Sequence, residues 1–161
     1  MSRLVILCIE DEDEVRDAVV RDLEVFEPTF LVEMAEDADD ARQVVEEVTA
    51  AGDEIALVIA DHRLPGMQGP DFLIELHGKP TTAKARKVLL TGQAGHEDTI
   101  RAINQADLDH YISKPWTEEK LHSVVREQLT EYVLRNVEDV LPYVAMLDAA
   151  RLLERVAKDA L

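Results

Sequence analysis

The chain has little cysteine, few basic residues and no long hydrophobic run. Its one cysteine, Cys8, excludes an internal disulfide framework and a cysteine-rich zinc site. Lysine and arginine number 17 against 34 aspartates and glutamates, which gives a formal charge of −17 over 161 residues. Such an acidic chain repels phosphate backbones and anionic lipids. We therefore expect neither nucleic acid nor a membrane as a direct partner.

The hydrophobic runs are short, and none exceeds about seven residues. A transmembrane helix needs about 20. The first run, residues 4–9, is followed at once by acidic residues, a pattern unlike that of a signal peptide. Because 47% of the residues are hydrophobic, the chain can still bury a sizeable core. We expect a soluble, cytoplasmic protein in a reducing compartment.

Two kinds of segment alternate along the chain. Between and after short apolar runs, hydrophobic residues recur every three or four positions, as in amphipathic helices. The short runs are typical of parallel strands that are covered on both faces, and they occupy residues 4–9, 30–34, 55–60, 88–90 and 111–112. Because parallel strands need crossover connections, five such alternations predict a doubly wound, five-stranded parallel α/β sheet.

Helical periodicity continues beyond the fifth predicted helix, nearly to the carboxyl terminus. Pro142 interrupts it and either starts a new helix, with Asp139 as its N-cap, or kinks a long one. We divide the chain into a main domain, residues 1–130, and a helical carboxyl-terminal extension, residues 131–161. The extension folds back on its own domain, forms a dimerisation helix, or serves as a linker helix.

Acidic residues follow the first and third predicted strands. Glu10 and Asp11 come directly after strand one, and Asp61 comes directly after strand three. Ligands of an open parallel sheet bind beyond the carboxyl ends of its strands, and neighbouring strands lie about 4.8 Å apart. If these two strands are neighbours, the carboxylates repel one another unless a hard cation such as Mg²⁺ lies among them.

Two further strand ends carry groups that suit phosphate chemistry. Strand four ends at Thr91, and strand five is followed by Lys114 and Pro115. A carboxylate can attack phosphorus to form an acyl phosphate, while a metal ion and an ammonium group neutralise the transferred charge. The combination favours phosphoryl transfer to an aspartate.

The chain resembles the receiver domain of two-component response regulators, of the chemotaxis-regulator type. Four motifs over about residues 1–130 carry the resemblance: LVILCIEDED, LVIADHRLPGMQG, VLLTG and YISKPW. The resemblance implies a flavodoxin-like sheet with strand order 2-1-3-4-5. It also implies a phosphorelay switch rather than a classical enzyme, one that catalyses only its own phosphorylation and dephosphorylation. A histidine kinase or phosphotransfer protein donates the phosphoryl group, and the output is a downstream protein or a missing output domain.

The resemblance also assigns the phosphoacceptor and the metal ligands. Asp61 is the phosphoacceptor. Mg²⁺ is held by Glu10, Asp11 and Asp61, with the backbone carbonyl of Arg63 as a further ligand. The family more often has aspartate at the position of Glu10, but glutamate is a common variant there.

Three more residues take roles in the switch through the same resemblance. Lys114, which precedes a cis-prone proline, binds the phosphoryl oxygens. Thr91 swings to hydrogen-bond the phosphoryl group, and Tyr111 is the aromatic residue that moves inward behind it. Arg63 and Gln93, each two residues after a site residue, occupy positions that tune the lifetime of the acyl phosphate in the family.

Two other functions compete with this interpretation. A pseudo-receiver that is never phosphorylated would act as a protein-interaction scaffold. A phosphohydrolase with an aspartyl-phosphate intermediate usually needs a second acid two residues after the nucleophile. Arg63 stands at that position, so the sequence argues against a phosphohydrolase.

Overall fold

The computed structural model describes residues 2–92 and 96–161 of the chain. Strands and helices alternate through most of its length. The strands are β1 (Leu4–Ile9), β2 (Phe30–Ala35), β3 (Glu54–Asp61), β4 (Arg86–Thr91) and β5 (His110–Ser113). The helices are α1 (Asp13–Leu23), α2 (Ala38–Ala50), α3 (Gly69–His77), α4 (His96–Gln105), α5 (Glu118–Asn136) and α6 (Ala149–Asp159).

The five strands form one parallel sheet in the order β2-β1-β3-β4-β5. The predicted doubly wound sheet and its strand order are therefore confirmed. β1 and β3 pair directly, so strand order reverses between them, where ligands of such sheets bind. β4 and β5 pair next to them, with Thr91 opposite Ser113.

Two apolar layers cover the sheet. One contains α1, α5 and the alternate strand residues that face them, including Ile6 and Ile59. The other contains α2 and α3 with the opposite strand residues, including Leu7 and Val58. Because both faces are covered, the strands read in sequence as continuous apolar runs rather than as an alternation.

Local signals in the sequence set several helix ends. The Thr117 side chain accepts a hydrogen bond from the Lys120 amide at 3.1 Å and caps α5. Pro70 lies in the first turn of α3, where no intrahelical amide donor is needed. Gly52, two residues after the end of α2, has a φ of +81°, which favours glycine.

The sequence predicts either one long helix that is kinked at Pro142 or a new helix that starts there, and the structure of the extension differs in detail from both. α5 passes through residue 130 and ends at Asn136. Pro142 then lies in a three-residue 3₁₀ helix, Leu141–Tyr143, and the Asp139 carboxylate accepts from the Leu141 amide at 3.2 Å. Pro142 therefore starts a short 3₁₀ helix and does not kink a long helix, and the N-cap of this short helix is Val140 rather than the expected Asp139. The next α-helix begins only at Ala149, after Asp148 as its N-cap.

The extension packs on its own domain. Its apolar residues join the α1–α5 layer, where Tyr143 lies against Phe30 with ring centroids 5.6 Å apart. Arg155 on α6 donates to the backbone carbonyls of Leu134, at 2.8 Å, and Val137, at 3.2 Å. These bonds satisfy carbonyls that the end of α5 leaves unpaired. The buried side chains of the segment are Val140, Tyr143, Leu147 and Leu152.

In residues 2–92 and 96–161, no helix combines the length and the apolar character that crossing a bilayer requires.

Candidate functional site

The paired strands β1 and β3 bring three carboxylates together at their carboxyl ends. Glu10 directly follows β1 and Asp61 is the last residue of β3, while Ile9 pairs with Ala60. One ligand oxygen from each of Glu10, Asp11 and Asp61 lies within 4.8 Å of the other two. The convergence expected from the sequence is therefore present.

Glu10 is the deepest of these carboxylates and is fully buried. Its Oε1 accepts from the Glu12 amide at 3.2 Å, which favours the ionised form, but burial dominates and raises the pKa of Glu10. Its Oε2 has no hydrogen-bond partner among the residues that the structure describes. A buried carboxylate oxygen without a donor, beside two further carboxylates, fits a hard divalent cation such as Mg²⁺.

Lys114 supplies the positive charge of the site. Its Nζ lies 2.5 Å from Asp61 Oδ1 and 3.6 Å from Glu10 Oε2. Partial burial disfavours the ammonium, but the hydrogen bond to Asp61 and the two carboxylates outweigh it, so the pKa of Lys114 is raised. The peptide bond from Lys114 to Pro115 is cis.

Thr91 lies on β4, the neighbour of the strand that carries Asp61, and Tyr111 lies one strand farther away, on β5. Thr91 is buried at the end of β4, and its carbonyl accepts from the Lys114 amide at 2.8 Å. Because Asp61 pairs with Leu90, Thr91 lies one position farther toward the carboxyl edge. Tyr111 is half exposed on β5 and stacks on His110 with ring centroids 6.2 Å apart. The structure therefore shows this tyrosine at the surface.

Arg63 is exposed in the loop after Asp61, so its side chain is accessible at the rim of the site. Gln93, the other residue expected to tune the lifetime of an acyl phosphate, lies outside the described residues.

Two residues that the sequence did not single out support the site. A Cβ built on Gly69, the first residue of α3, would lie 2.0 Å from the backbone oxygen of Asp61, so only glycine fits there. Arg16 on α1 donates from Nη1 to the Glu10 carbonyl at 3.1 Å. Gly69 is the last residue of the LVIADHRLPGMQG motif, whose proline and glycines indicate a turn but not this contact. Nothing in the sequence separates Arg16 from other helical arginines.

The sequence model of the response regulator receiver domain matches residues 6–126. The chain belongs to this family. One relative is the phosphate regulon transcriptional regulatory protein PhoB of Escherichia coli K12, 31% identical over 138 residues that cover 84% of this chain and 56% of PhoB. Another is the hydrogenase transcriptional regulatory protein HoxA of Cupriavidus necator, 29% identical over 122 residues that cover 76% of this chain and 23% of HoxA.

Solved receiver domains have the same fold. A CheY-like response regulator receiver domain protein of Methanospirillum hungatei JF-1 superposes with a TM-score of 0.71 at 28% identity, and the match covers 84% of this chain and all of that one. The receiver domain of an HD domain-containing protein of Pseudomonas fluorescens Pf-5 gives a TM-score of 0.68 at 27% identity, covering 84% of this chain and 93% of that one.

The chain spans 23% to 56% of the length of the PhoB and HoxA proteins that it matches. The part of the chain that matches is a receiver domain, which is a signalling module rather than a classical enzyme. Residues 127–161 lie beyond the match to the family model.

Proposed function

We propose that the chain is a phosphorylation-dependent switch that accepts a phosphoryl group on Asp61. The observation that carries the proposal is the position of this carboxylate. Its Oδ1 lies 2.5 Å from Lys114 Nζ, and it shares one end of the sheet with the carboxylates of Glu10 and Asp11. A nucleophile, a cation and a group of metal-ligating oxygens are the components that phosphoryl transfer to a carboxylate needs.

The transfer forms one bond and breaks another. A carboxylate oxygen of Asp61 attacks the phosphorus of a phosphohistidine on a histidine kinase or phosphotransfer protein. The phosphorus–nitrogen bond breaks, and its electron pair stays on the leaving imidazole. Lys114, already bonded to Asp61, is placed to hold a phosphoryl oxygen as the acyl phosphate forms.

Glu10, Asp11 and Asp61 would hold Mg²⁺, with the Arg63 carbonyl as a further ligand. The Oε2 of Glu10, which accepts no hydrogen bond from the described residues and lies 3.6 Å from Lys114 Nζ, supports this assignment. Bound there, Mg²⁺ supplies neutralisation of the crowded carboxylates and of the phosphoryl oxygens.

The response to phosphorylation involves β4 and β5. The added charge draws the Thr91 hydroxyl and Lys114 toward the phosphoryl group, and Tyr111 moves inward from its half-exposed position. Ile100 and Ile103 on α4 are large and exposed like Tyr111 on β5. Because exposed apolar side chains mark interaction surfaces, this α4–β5 face is the proposed partner-binding face.

We propose that the extension, residues 131–161, is an addition to the receiver domain. The buried contacts of the segment with its own receiver domain support a folded-back role over a dimerisation or linker helix. A downstream protein, or an output domain outside this chain, would then receive the signal in the cytoplasm.

Intact mass measurement tests phosphorylation directly. Incubation with acetyl phosphate and Mg²⁺ should add about 80 Da, the mass of one phosphoryl group. Asp61→Asn should abolish the gain, while Asp17→Asn, which removes an exposed carboxylate from α1, should leave it unchanged. Equal labelling of Asp61→Asn would assign the phosphate to another residue.

Two outcomes would favour the competing functions. An unchanged mass under all conditions, in a folded protein, would favour the pseudo-receiver scaffold. Continuous turnover of a generic phosphate ester would favour a phosphohydrolase. Sedimentation with and without beryllofluoride tests dimerisation. If the mass doubles on activation both in the full chain and after deletion of residues 137–161, the dimer contact lies outside the extension.

A further inference from the structure

The loop between β1 and α1 concentrates negative charge. Residues 10–14 are five consecutive carboxylates, two of which belong to the proposed metal site. Like charges this close repel one another, and the repulsion is strongest where burial removes solvent. Glu10 is fully buried, so its orientation needs support from a neighbouring cation or donor.

Arg16 provides a bridge across this loop. Its Nη1 donates to the Glu10 carbonyl at 3.1 Å, and its Nη2 bonds to the Asp13 carboxylate. The arginine side chain is only 18% exposed, whereas Asp13 is largely in solvent. The guanidinium thus links the end of β1 to the first turn of α1 through two donors of one planar group.

We propose that Arg16 is a positioning residue for the metal-binding carboxylates, acting through the Glu10 backbone and Asp13. This inference rests on the proposed metal site. By donating to the Glu10 carbonyl, Arg16 fixes the position of Glu10, whose buried Oε2 accepts no hydrogen bond from the described residues. Groups that orient metal ligands in this way typically change metal affinity by about 10- to 100-fold when they are replaced.

The two possible roles of Arg16, as a nearby positive charge and as a positioning group, predict opposite changes in Mg²⁺ affinity when it is replaced. If Arg16 acted only as a nearby positive charge, its removal would reduce repulsion of Mg²⁺ and tighten binding. If it positions Glu10, its removal weakens binding although a repulsive charge is gone. The sign of the change in Mg²⁺ dissociation constant therefore separates the two explanations.

The test compares Arg16→Met and Arg16→Lys with Arg21→Met. Arg21 lies on the same helix, is largely exposed and contacts Asp22 at 4.0 Å, so its replacement removes the same charge without the bridge. Mg²⁺ titrations followed by amide chemical shifts should show a dissociation constant raised about 10-fold for both Arg16 variants. Arg21→Met should bind Mg²⁺ as tightly as the unchanged chain or more tightly.

A second readout needs no metal. The Glu12 amide donates to Glu10 Oε1 at 3.2 Å, so its hydrogen exchange reports the orientation of that carboxylate. In metal-free protein, exchange at Glu12 should accelerate in both Arg16 variants and not in Arg21→Met. Because lysine keeps the charge and most of the side chain, Arg16→Lys can be used for both measurements if Arg16→Met fails to fold.

Two results would overturn the role of Arg16. One is Mg²⁺ affinity that is unchanged or increased in both Arg16 variants, and the other is unchanged exchange at the Glu12 amide. Failure of the unchanged chain to bind Mg²⁺ would instead overturn the proposed metal site, and the metal-free exchange would still decide whether Arg16 orients Glu10.

Discussion

Around Asp61, two negative carboxylates, its own and that of Glu10, face one positive ammonium group, that of Lys114. Lys114 contacts both Asp61 and Glu10, and these contacts raise the pKa of Lys114 despite partial burial. Burial raises the pKa of Glu10, because removal from solvent disfavours the charged form of its carboxylate. A bound cation would lower the negative charge next to Lys114, and an added phosphoryl group would raise it.

Arg63 should affect how long an acyl phosphate survives. Its side chain is long, cationic and exposed beside Asp61, where it can obstruct the approach of water. We expect Arg63→Ala to shorten the lifetime by up to about tenfold, which corresponds to about 1.4 kcal/mol of activation free energy. Loss of the phosphorylated mass with time measures the rate, and equal decay in both proteins would refute the role.

Gly69 should be essential for the geometry of Asp61. A methyl group on Gly69 would lie 2.0 Å from the Asp61 carbonyl oxygen, so β3 or the start of α3 must move. We expect Gly69→Ala to lower the free energy of unfolding by about 1–3 kcal/mol and to slow phosphorylation. In Gly78→Ala the added carbon lies 3.5 Å from the nearest carbonyl oxygen, so that control should fold and react normally.

Among the secondary-structure elements, β4 and β5 connect the site to the opposite end of the sheet. Arg86 at the start of β4 contacts Asp109, just before β5, at 3.0 Å, and donates from Nε to Gln128 on α5 at 2.9 Å. The same two strands end beside Thr91 and Lys114. If phosphorylation shifts either strand, we expect these contacts to carry the shift to α5.

The contact between α5 and α6 should depend on pH. Glu131 accepts a hydrogen bond from Arg151, and this bond lowers the pKa of Glu131 below its ordinary value of 4.5. Because the folded state then binds the proton more weakly than the unfolded state, the pair stabilises folding above pH 4.5. That contribution is lost as the pH falls through the lowered pKa.

Arg151→Gln should remove this contribution. Because the pair is partly exposed, we expect a loss of about 0.3–1 kcal/mol in the free energy of unfolding at neutral pH. As the pH falls below 4.5 and through the lowered pKa of Glu131, the variant and the unchanged chain should differ less and less. Urea unfolding across this pH range measures the difference, and a loss that does not change with pH would assign another role to Arg151.

For the molecule as a whole, the extension completes the α1–α5 layer. Tyr143 packs against Phe30 at the start of β2, and Tyr132 on α5 donates to the Glu54 carboxylate at 3.1 Å at the start of β3. The base of the sheet, opposite the proposed phosphorylation site, is thus closed by α5 and the segment that follows it.

Deletion of residues 137–161 should destabilise the receiver domain. It removes four buried side chains and exposes the surfaces of Phe30 and α5 that they cover. We expect a loss of about 2–5 kcal/mol, comparable to a large truncation within a core. Thermal unfolding measures the loss. Deletion of residues 160–161 alone, which are exposed, should change little, and a full deletion that melts like the unchanged chain would show that the extension is dispensable.

Much of the fold and of the site was predictable because strand ends are read directly from hydrophobic runs. Glu10, Asp61, Thr91 and Lys114 each follow or end such a run, and parallel strands bring their carboxyl ends to one edge. The extension was harder to predict. Its apolar spacing suits a long helix as well as a helix broken into turns, and only the contacts available at the base of the sheet distinguish them.

The identity of the strands, their direction and the chemistry at their ends follow from the order of the amino acids, because apolar runs and turn residues act locally. Three contacts do not follow from local sequence. They are the bridge from Arg16 to Glu10, the close approach of Gly69 to Asp61 and the packing of Tyr143 against Phe30. These contacts join residues through the packed arrangement of strands and helices, so they exist only once the chain has folded.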